Sequence, residues 1–408
     1  MAFCCAADEG HLGFHSLASD PGPLDPTERS RQRRAEARRR RYRLRRTAAL
    51  TGLILVTALV ALGATFVVGH DSHGKASALA GTKANSGASP RRPFPAEVRG
   101  VHVTMSLANE PGKLDEYLAF AGLTALELDV KDETGKVGFL MPAWTLARKV
   151  GASQPYYKAA AAASKAHAAG VYLIGRVVVF EDPTLTAARP DLAIQHSDGS
   201  VWVNNAGFGW ANPYSERVWK YVVGIGAAAA RAGFDEIQFD YVRFPSDGPI
   251  ETAVFPGKTS EPMGWTIARF ADYATRRLHA LGVRVSVDVF GLSATRDLGI
   301  GQVPGRLANY VDAVYPMVYP SHYGAGEFNL PDPSAAPEQT IAFSLRDFQN
   351  AMLGRKALLI PWLEDFSLTS PHPAPADVQA QIDAARRAHT RGFLLWNPEG
   401  VYTEQVLK

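Results

Sequence analysis

The chain has 408 residues, 46% of them hydrophobic and 20% charged, which is ordinary for a globular protein and enough to bury a large core. Eleven Arg and one Glu between residues 29 and 46 give a local charge of +10, so the net charge of +3 leaves −7 for the rest of the chain. Cys4 and Cys5 are the only cysteines, so the remainder of the chain offers no disulfide framework, thiolate zinc site or cysteine nucleophile.

In chain order, residues 1–28 contain Gly, Pro and Ser without a period and read as disordered. With the arginine tract they make a basic cytoplasmic tail, 1–46. A basic tract can bind nucleic acid, but an apolar run follows at once and the rest of the chain is acidic. The tract therefore reads as a topology signal, with no nucleic-acid partner. Residues 47–68, TAALTGLILVTALVALGATFVV, carry no charge and are long enough to cross a hydrocarbon layer as one helix. Arginines on the N-terminal flank keep that side in the cytoplasm, so the C-terminal part is expected outside the membrane. A cleaved signal peptide is the alternative, with small residues ASALAG at 76–81. The leading region is long for a signal, however, and that site lies well past the apolar run. Arg45-Arg46 also allows twin-arginine export. Residues 69–95 read as a flexible linker, and the globular domain is placed at 96–408.

Strand-like runs are expected at 99–105, 125–131, 172–180, 236–244, 284–291, 313–320, 357–366 and 392–397. Helix-like stretches lie between them at 113–122, 156–169, 214–232, 264–281, 339–352 and 376–390, several closed by Gly just before the next strand. Eight strands alternating with helices predict a (β/α)8 barrel, an α/β TIM barrel behind one N-terminal transmembrane helix. A doubly wound sheet is the runner-up, but no GxGxxG follows the first strand.

Alternate strand residues face opposite ways. In ALELDVK, Glu127, Asp129 and Lys131 share the face opposite Leu126, Leu128 and Val130. Gln238 and Asp240 oppose Ile237, Phe239 and Tyr241; Ser286 and Asp288 oppose Val285, Val287 and Val289; His102 and Thr104 oppose Val101 and Val103. The apolar faces must meet the helices, so the polar faces point into the barrel, where carboxylates must pair or meet substrate. Barrel active sites lie at the C-terminal strand ends, which singles out Asp129, Asp240 and Asp288; Glu127 lies deeper and suits a buried ionic layer equally well. Lys131 either neutralises a nearby carboxylate or is a solvated rim residue. Arg176 shares a face with Ile174 and Val178 and should have an acidic partner.

The segments LDVKDETG (128–135), GRVVVFEDP (175–183), FDEIQFDYVRFPSDG (234–248), SVDVFG (286–291), YPMVYPSHY (315–323), PWLEDF (361–366) and FLLWNPEGVY (393–402) occur in this order. As a set they resemble the bacterial glycosyl-hydrolase-type (β/α)8-barrel domain family, over about residues 99–402. The resemblance implies a barrel whose acid at the end of strand four, here Asp240, is catalytic. It matches Asp288, Asp129 and Asp365 to further acidic positions of the family. Glu364 stands where the family pattern has an amide, which weakens it as a candidate. The family's hydrolase label rests on likeness at the level of the fold and names no substrate.

Glycoside hydrolysis needs one carboxyl group to protonate the leaving oxygen and another to attack the anomeric carbon or activate water. Asp240 is the candidate nucleophile or base and Asp288 its partner or acid, with Asp365 a further catalytic candidate. Candidate substrate-binding residues are Asp129, Lys131, Arg176, Trp210, Tyr241, Arg243, Tyr319, His322, Trp362 and Trp396. The aromatic ones are candidate platforms for pyranose rings, and any single one of them could equally be core. Trp202 and Trp210 sit in a long loop after strand three, a type of loop that is usually functional. Arg243 could bind a carboxylate, orient Asp240 or form a structural ion pair. No HxH or HExxH occurs in the barrel, so neither a metal nor another cofactor is expected. The expected function is hydrolysis of an extracellular or cell-wall polysaccharide; the alternatives are a non-catalytic carbohydrate-binding envelope scaffold and a transglycosylase. The oligomeric state is left open.

Overall fold

The computed structural model describes residues 92–367 and 374–408. The segments expected to form the basic tail and the membrane anchor, and nearly all of the linker, lie outside the described residues. Among the described residues no helix is long and apolar enough to cross a membrane.

The strands are β1 (Val98–Val103), β2 (Ala125–Lys131), β3 (Tyr172–Val178), β4 (Glu236–Asp240), β5 (Arg284–Phe290), β6 (Ala313–Met317), β7 (Leu358–Leu359), β8 (Trp362–Glu364) and β9 (Gly392–Trp396). All pairings among them are parallel. They run β5-β4-β3-β2-β1-β9-β8-β6, and β5 pairs with β6 to close the barrel. The seventh barrel strand, expected unbroken over 357–366, is split into β7 and β8. Pro361 lies at the break, where its missing N–H cannot extend a ladder. β7 pairs only with β6, and β8 bridges β6 and β9.

The main crossover helices are Lys113–Leu118, Ala159–Ala168, Glu216–Ala232, Met263–His279, Pro337–Ala351 and Pro375–Arg387. The connection from β5 to β6 holds only a 3-10 turn, Gly291–Ser293, and the one-turn α-helix Pro304–Leu307. Glu216–Ala232 is rich in Ala and ends at Gly233, whose φ of 108° no β-carbon-bearing residue would adopt readily. Phe270 of Met263–His279 shows how the helices are held. Its buried ring packs edge-on against Phe180 and Phe239 and lies 6.1 Å from Trp219. Burying a side chain of that size stabilises by about 1.5–3 kcal/mol.

Two apolar clusters result. The larger fills the space between strands and helices and includes Leu126, Leu128, Val177, Ile237, Phe239, Val285 and Val287. The smaller fills the barrel and includes Val98, Ala125, Tyr172, Ile174, Tyr315 and Leu394. The alternation read from the strands therefore holds, with one exception in β2. Its register against β3 shifts between Asp129 and Lys131, which sets Lys131 beside Val177 of the outer cluster. A bulge of this kind re-aims the side chain that follows it.

Candidate active site

The base of the barrel is polar as well as apolar. Glu236, the first residue of β4, is fully buried and accepts hydrogen bonds from Ser286 Oγ (2.5 Å) and Tyr172 OH (3.0 Å). Burial pushes its pKa up to about 7, with these hydrogen bonds pulling the other way. Midway up, His102 Nδ1 meets Glu127 Oε2 at 2.5 Å and its Nε2 lies 3.8 Å from Asp129. Burial works against charge on His102, but Asp129 and the hydrogen bond with Glu127 outweigh it and raise its pKa.

Above this layer Arg176 of β3 ties two acids together. Its Nη1 donates to Asp129 Oδ1 (2.7 Å), and its Nε and Nη2 both donate to Asp240 Oδ2 (3.0 and 2.7 Å). The register supplies this, since Asp129 pairs with Arg176 across β2–β3 and Val178 with Asp240 across β3–β4. Asp240 Oδ1 accepts the N–H of Tyr241 at 2.6 Å. Tyr241 has φ 51°, a left-handed backbone that costs a residue with a β-carbon roughly 1 kcal/mol or more. The expected run 236–244 accordingly stops as a strand at Asp240, and Tyr241 belongs to the rim.

Asp288, on the adjacent strand β5, is 2% exposed. Its Oδ1 accepts from Gln238 Nε2 (2.5 Å) and Trp362 Nε1 (2.7 Å). Burial raises its pKa well above the ordinary carboxylate range, and the charges of Asp240 and Glu127 add to that rise. Asp240 and Asp288 thus form two kinds of acid on neighbouring strands, one in an ion pair with a guanidinium and one buried among neutral donors with its pKa raised.

Aromatic side chains form two groups at the rim. Tyr319, just after β6, stacks on Trp396 at the end of β9, with centroids 5.6 Å apart and an interplanar angle of 27°. His322, which is exposed, stands edge-on to Tyr319 at 5.1 Å, and Phe366 stands edge-on to Trp396 at 5.2 Å. In the second group the Arg243 guanidinium lies over Trp210, Tyr241 and Phe290 at 4.9, 5.0 and 4.6 Å and donates to Phe244 O. Burial lowers the pKa of Arg243.

The structure ties Asp129, Arg176 and Asp240 into one ion-paired cluster and Asp288 and Trp362 into a second, centred on the neighbouring strand β5, with Tyr241 and Arg243 beside the first and Tyr319, His322 and Trp396 along the rim. Three candidates fall elsewhere. Lys131 is turned out of the barrel by the β2 bulge, fully buried, and bound to Val178 O (2.7 Å) and Asp182 Oδ2 (3.1 Å); it is neither a rim residue nor a substrate contact. Asp365 is fully buried and accepts Thr403 N (2.7 Å) and Oγ1 (2.8 Å). Its carboxylate is taken up in holding the C-terminal loop, which leaves it no catalytic reach. Trp210 is 1% exposed and supports Arg243 from within the core, as Trp202 supports its own loop through Nε1–H to Pro249 O. Conversely, Glu236 and Gln238 join the barrel interior although neither is an obvious candidate. Both share the Asp240 face of one strand; the period of two already set Gln238 on that face, and one further step back along it reaches Glu236.

A search of curated proteins finds no match. Among solved structures, the chain is similar to a hypothetical protein from Ruminiclostridium thermocellum, at 32% identity over 46% of this chain and 97% of that one, with a TM-score of 0.42. It is also similar to the PgaB (BpsB) glycoside hydrolase domain from Bordetella bronchiseptica, at 13% identity over 77% and 99% of the two chains and a TM-score of 0.54. The endo-β-1,4-mannanase of Thermotoga petrophila matches at 12% identity over 77% and 73%, with a TM-score of 0.50. Identities of 12–13% support the barrel fold alone. The family is shown by a family model described as "Putative glycosyl hydrolase domain", which matches residues 100–402, from within β1 to beyond β9. The chain belongs to that family.

Proposed function

We propose that the barrel is a glycosidase acting on an extracytoplasmic polysaccharide, with Asp288 as general acid and Asp240 as nucleophile or base. The observation that carries this is the unlike environment of the two acids. Two carboxyl groups held in unlike environments are how one site performs acid and base chemistry together; here Asp240 faces a guanidinium and Asp288 is buried with its pKa raised. Both hydrogen bonds to Asp288 fall on Oδ1, which assigns the proton to Oδ2. That proton passes to the glycosidic oxygen as its bond to the anomeric carbon breaks. Asp240, aligned by Arg176 and the Tyr241 N–H, forms a bond to that carbon or takes a proton from the water that does. Trp396, backed by Tyr319, offers the ring face on which a pyranose stacks. Membership in a family of glycosyl-hydrolase description and the likeness in fold to glycoside hydrolase barrels support this reading.

We assign the barrel to the outer side of the membrane on the charge asymmetry around residues 47–68. A scaffold that binds glycans without cleaving them would have no use for a buried acid of raised pKa on the strand next to an ion-paired one.

Substitution tests the roles separately. Asp240→Asn should lower kcat/KM about 10²–10⁴-fold on every substrate, the usual contribution of such groups. Asp288→Asn should cost as much on natural glycosides but little on aryl glycosides with good leaving groups, which need no proton. Equal losses on both substrate types in Asp288→Asn would remove Asp288 from the acid role.

A further inference from the structure

The barrel's helix ring is thin at one place. The α-helix of the β5–β6 connection is one turn long, Pro304–Leu307, where its neighbours are the long helices Met263–His279 and Pro337–Ala351. The space left there is a cleft of about 440 Å³. It is lined from one side by Trp265, near the start of Met263–His279, and from another by Arg355, just beyond Pro337–Ala351. Arg306, Asn309 and Tyr310 line it between them. Ser293 and Ala294, which also line it, follow closely on β5, so the cleft reaches the catalytic end of the barrel from the outside.

Three features of this cleft point to a ligand. Trp265 is 43% exposed although its side chain is large and apolar. The Arg306 guanidinium lies 3.9 Å from the centre of its ring, which holds the indole in one orientation. Arg306 and Arg355 line the same cleft, and neither makes an ion pair among the described residues; Arg231 and Arg277 do not either, so what distinguishes these two is their convergence beside an exposed Trp. Two guanidinium groups without counter-charge on an otherwise acidic chain are matched to carboxylate or phosphate oxygens, which they bind in a forked geometry. A fixed indole beside them supplies the flat apolar surface that a sugar ring covers.

We propose that this cleft is a second glycan-binding site, outside the barrel, for the anionic units of a polysaccharide chain: sugars bearing carboxylates, or units joined through phosphate. It holds an acidic polymer alongside the catalytic rim and selects charged chains over neutral ones. The inference rests on the glycosidase reading only in taking the ligand to be a glycan; binding at the cleft does not require Asp240 or Asp288.

The test is affinity electrophoresis of the purified full-length chain through gels containing polygalacturonate, poly(glycerol phosphate) or a neutral β-glucan. Beside it run Asp240→Asn, Trp265→Ala and the double variant Arg306→Ala/Arg355→Ala, each checked for folding by circular dichroism. Polygalacturonate or poly(glycerol phosphate) should retard the parent chain and Asp240→Asn equally, and whichever polymer retards them identifies the anion. The double variant and Trp265→Ala should bind at least tenfold more weakly, and hydrolysis of a short aryl glycoside by the double variant should match the parent. Should a folded double variant be retarded as strongly as the parent, or should neither anionic polymer retard the parent more than the neutral glucan does, the cleft is not this site. Loss of turnover in Asp240→Asn with binding at the cleft intact would leave both readings standing, and active catalysis without cleft binding would leave only the first.

Discussion

Glu236 and Asp240 face the same way on one five-residue strand, about 13 Å apart at the usual rise per residue, yet they have opposite surroundings. Asp240 faces a guanidinium, while Glu236 has only neutral hydroxyl donors. The consequence for stability is a pH dependence whose sign is fixed. Glu236 has a folded-state pKa of about 7 against an ordinary value of 4.5, so the folded state holds its proton more tightly than the unfolded state does. Its ionisation therefore costs nothing at low pH and grows from pH 4.5 until it is fully felt above pH 7. The cost is of the order of 3 kcal/mol. Glu236→Gln removes that cost. In thermal unfolding followed by circular dichroism, the variant should melt above the parent at pH 8, and the two should converge at pH 5. A constant difference across that range would mean that Glu236 does not titrate there. At this scale the sequence was a good guide wherever the side-chain period of two was undisturbed: the inward set Asp129, Arg176, Asp240 and Asp288 follows from alternation alone. Lys131 was misplaced because a one-residue bulge has no signature in VK. Asp365 was misplaced because its partner, Thr403, lies 38 residues away in a loop.

At the scale of elements, the long helices and most strands lie close to where periodicity and Gly stops put them. The departures have backbone causes. Pro361 interrupts the seventh barrel strand, and Tyr241 ends β4 by turning left-handed. The thin β5–β6 crossover was not legible either, because a single helical turn shows no 3.6-residue period. The closure between the last and first strands depends on Gly392. Its φ is 110°, and a β-carbon there would lie 2.0 Å from Val98 O. Gly392→Ala must distort the β9–β1 pairing, which runs from Val98–Gly392 to Val101–Leu395. A loss of about 3 kcal/mol or more in denaturant unfolding is expected, toward the upper end of single-substitution effects. A loss under about 0.5 kcal/mol, the level of a surface change, would show that the closure adapts.

For the whole molecule, the sequence carries two separate messages. Residues 100–402 match one family and close one barrel, whereas residues 29–68 carry the charge and apolar length of a membrane anchor. The arginines on the N-terminal flank of that apolar run are the basis of the proposed topology. Fusing alkaline phosphatase, which is active only outside the cytoplasm, after residue 408 should give active enzyme in the membrane fraction. An inactive fusion, or one released in soluble form, would contradict the proposed anchored topology.

The central claim is that the Asp240–Asp288 pair cleaves glycosidic bonds. Its most direct measurement is the release of reducing ends from a panel of bacterial exopolysaccharides and cell-wall glycans by the full-length chain, beside Asp240→Asn. The account predicts new reducing ends from at least one polymer with the parent chain. Asp240→Asn, folded and still binding that polymer, should lower the rate by about 10²-fold or more. Glycan binding by both proteins with no reducing ends from either, or equal rates from the two, would contradict it.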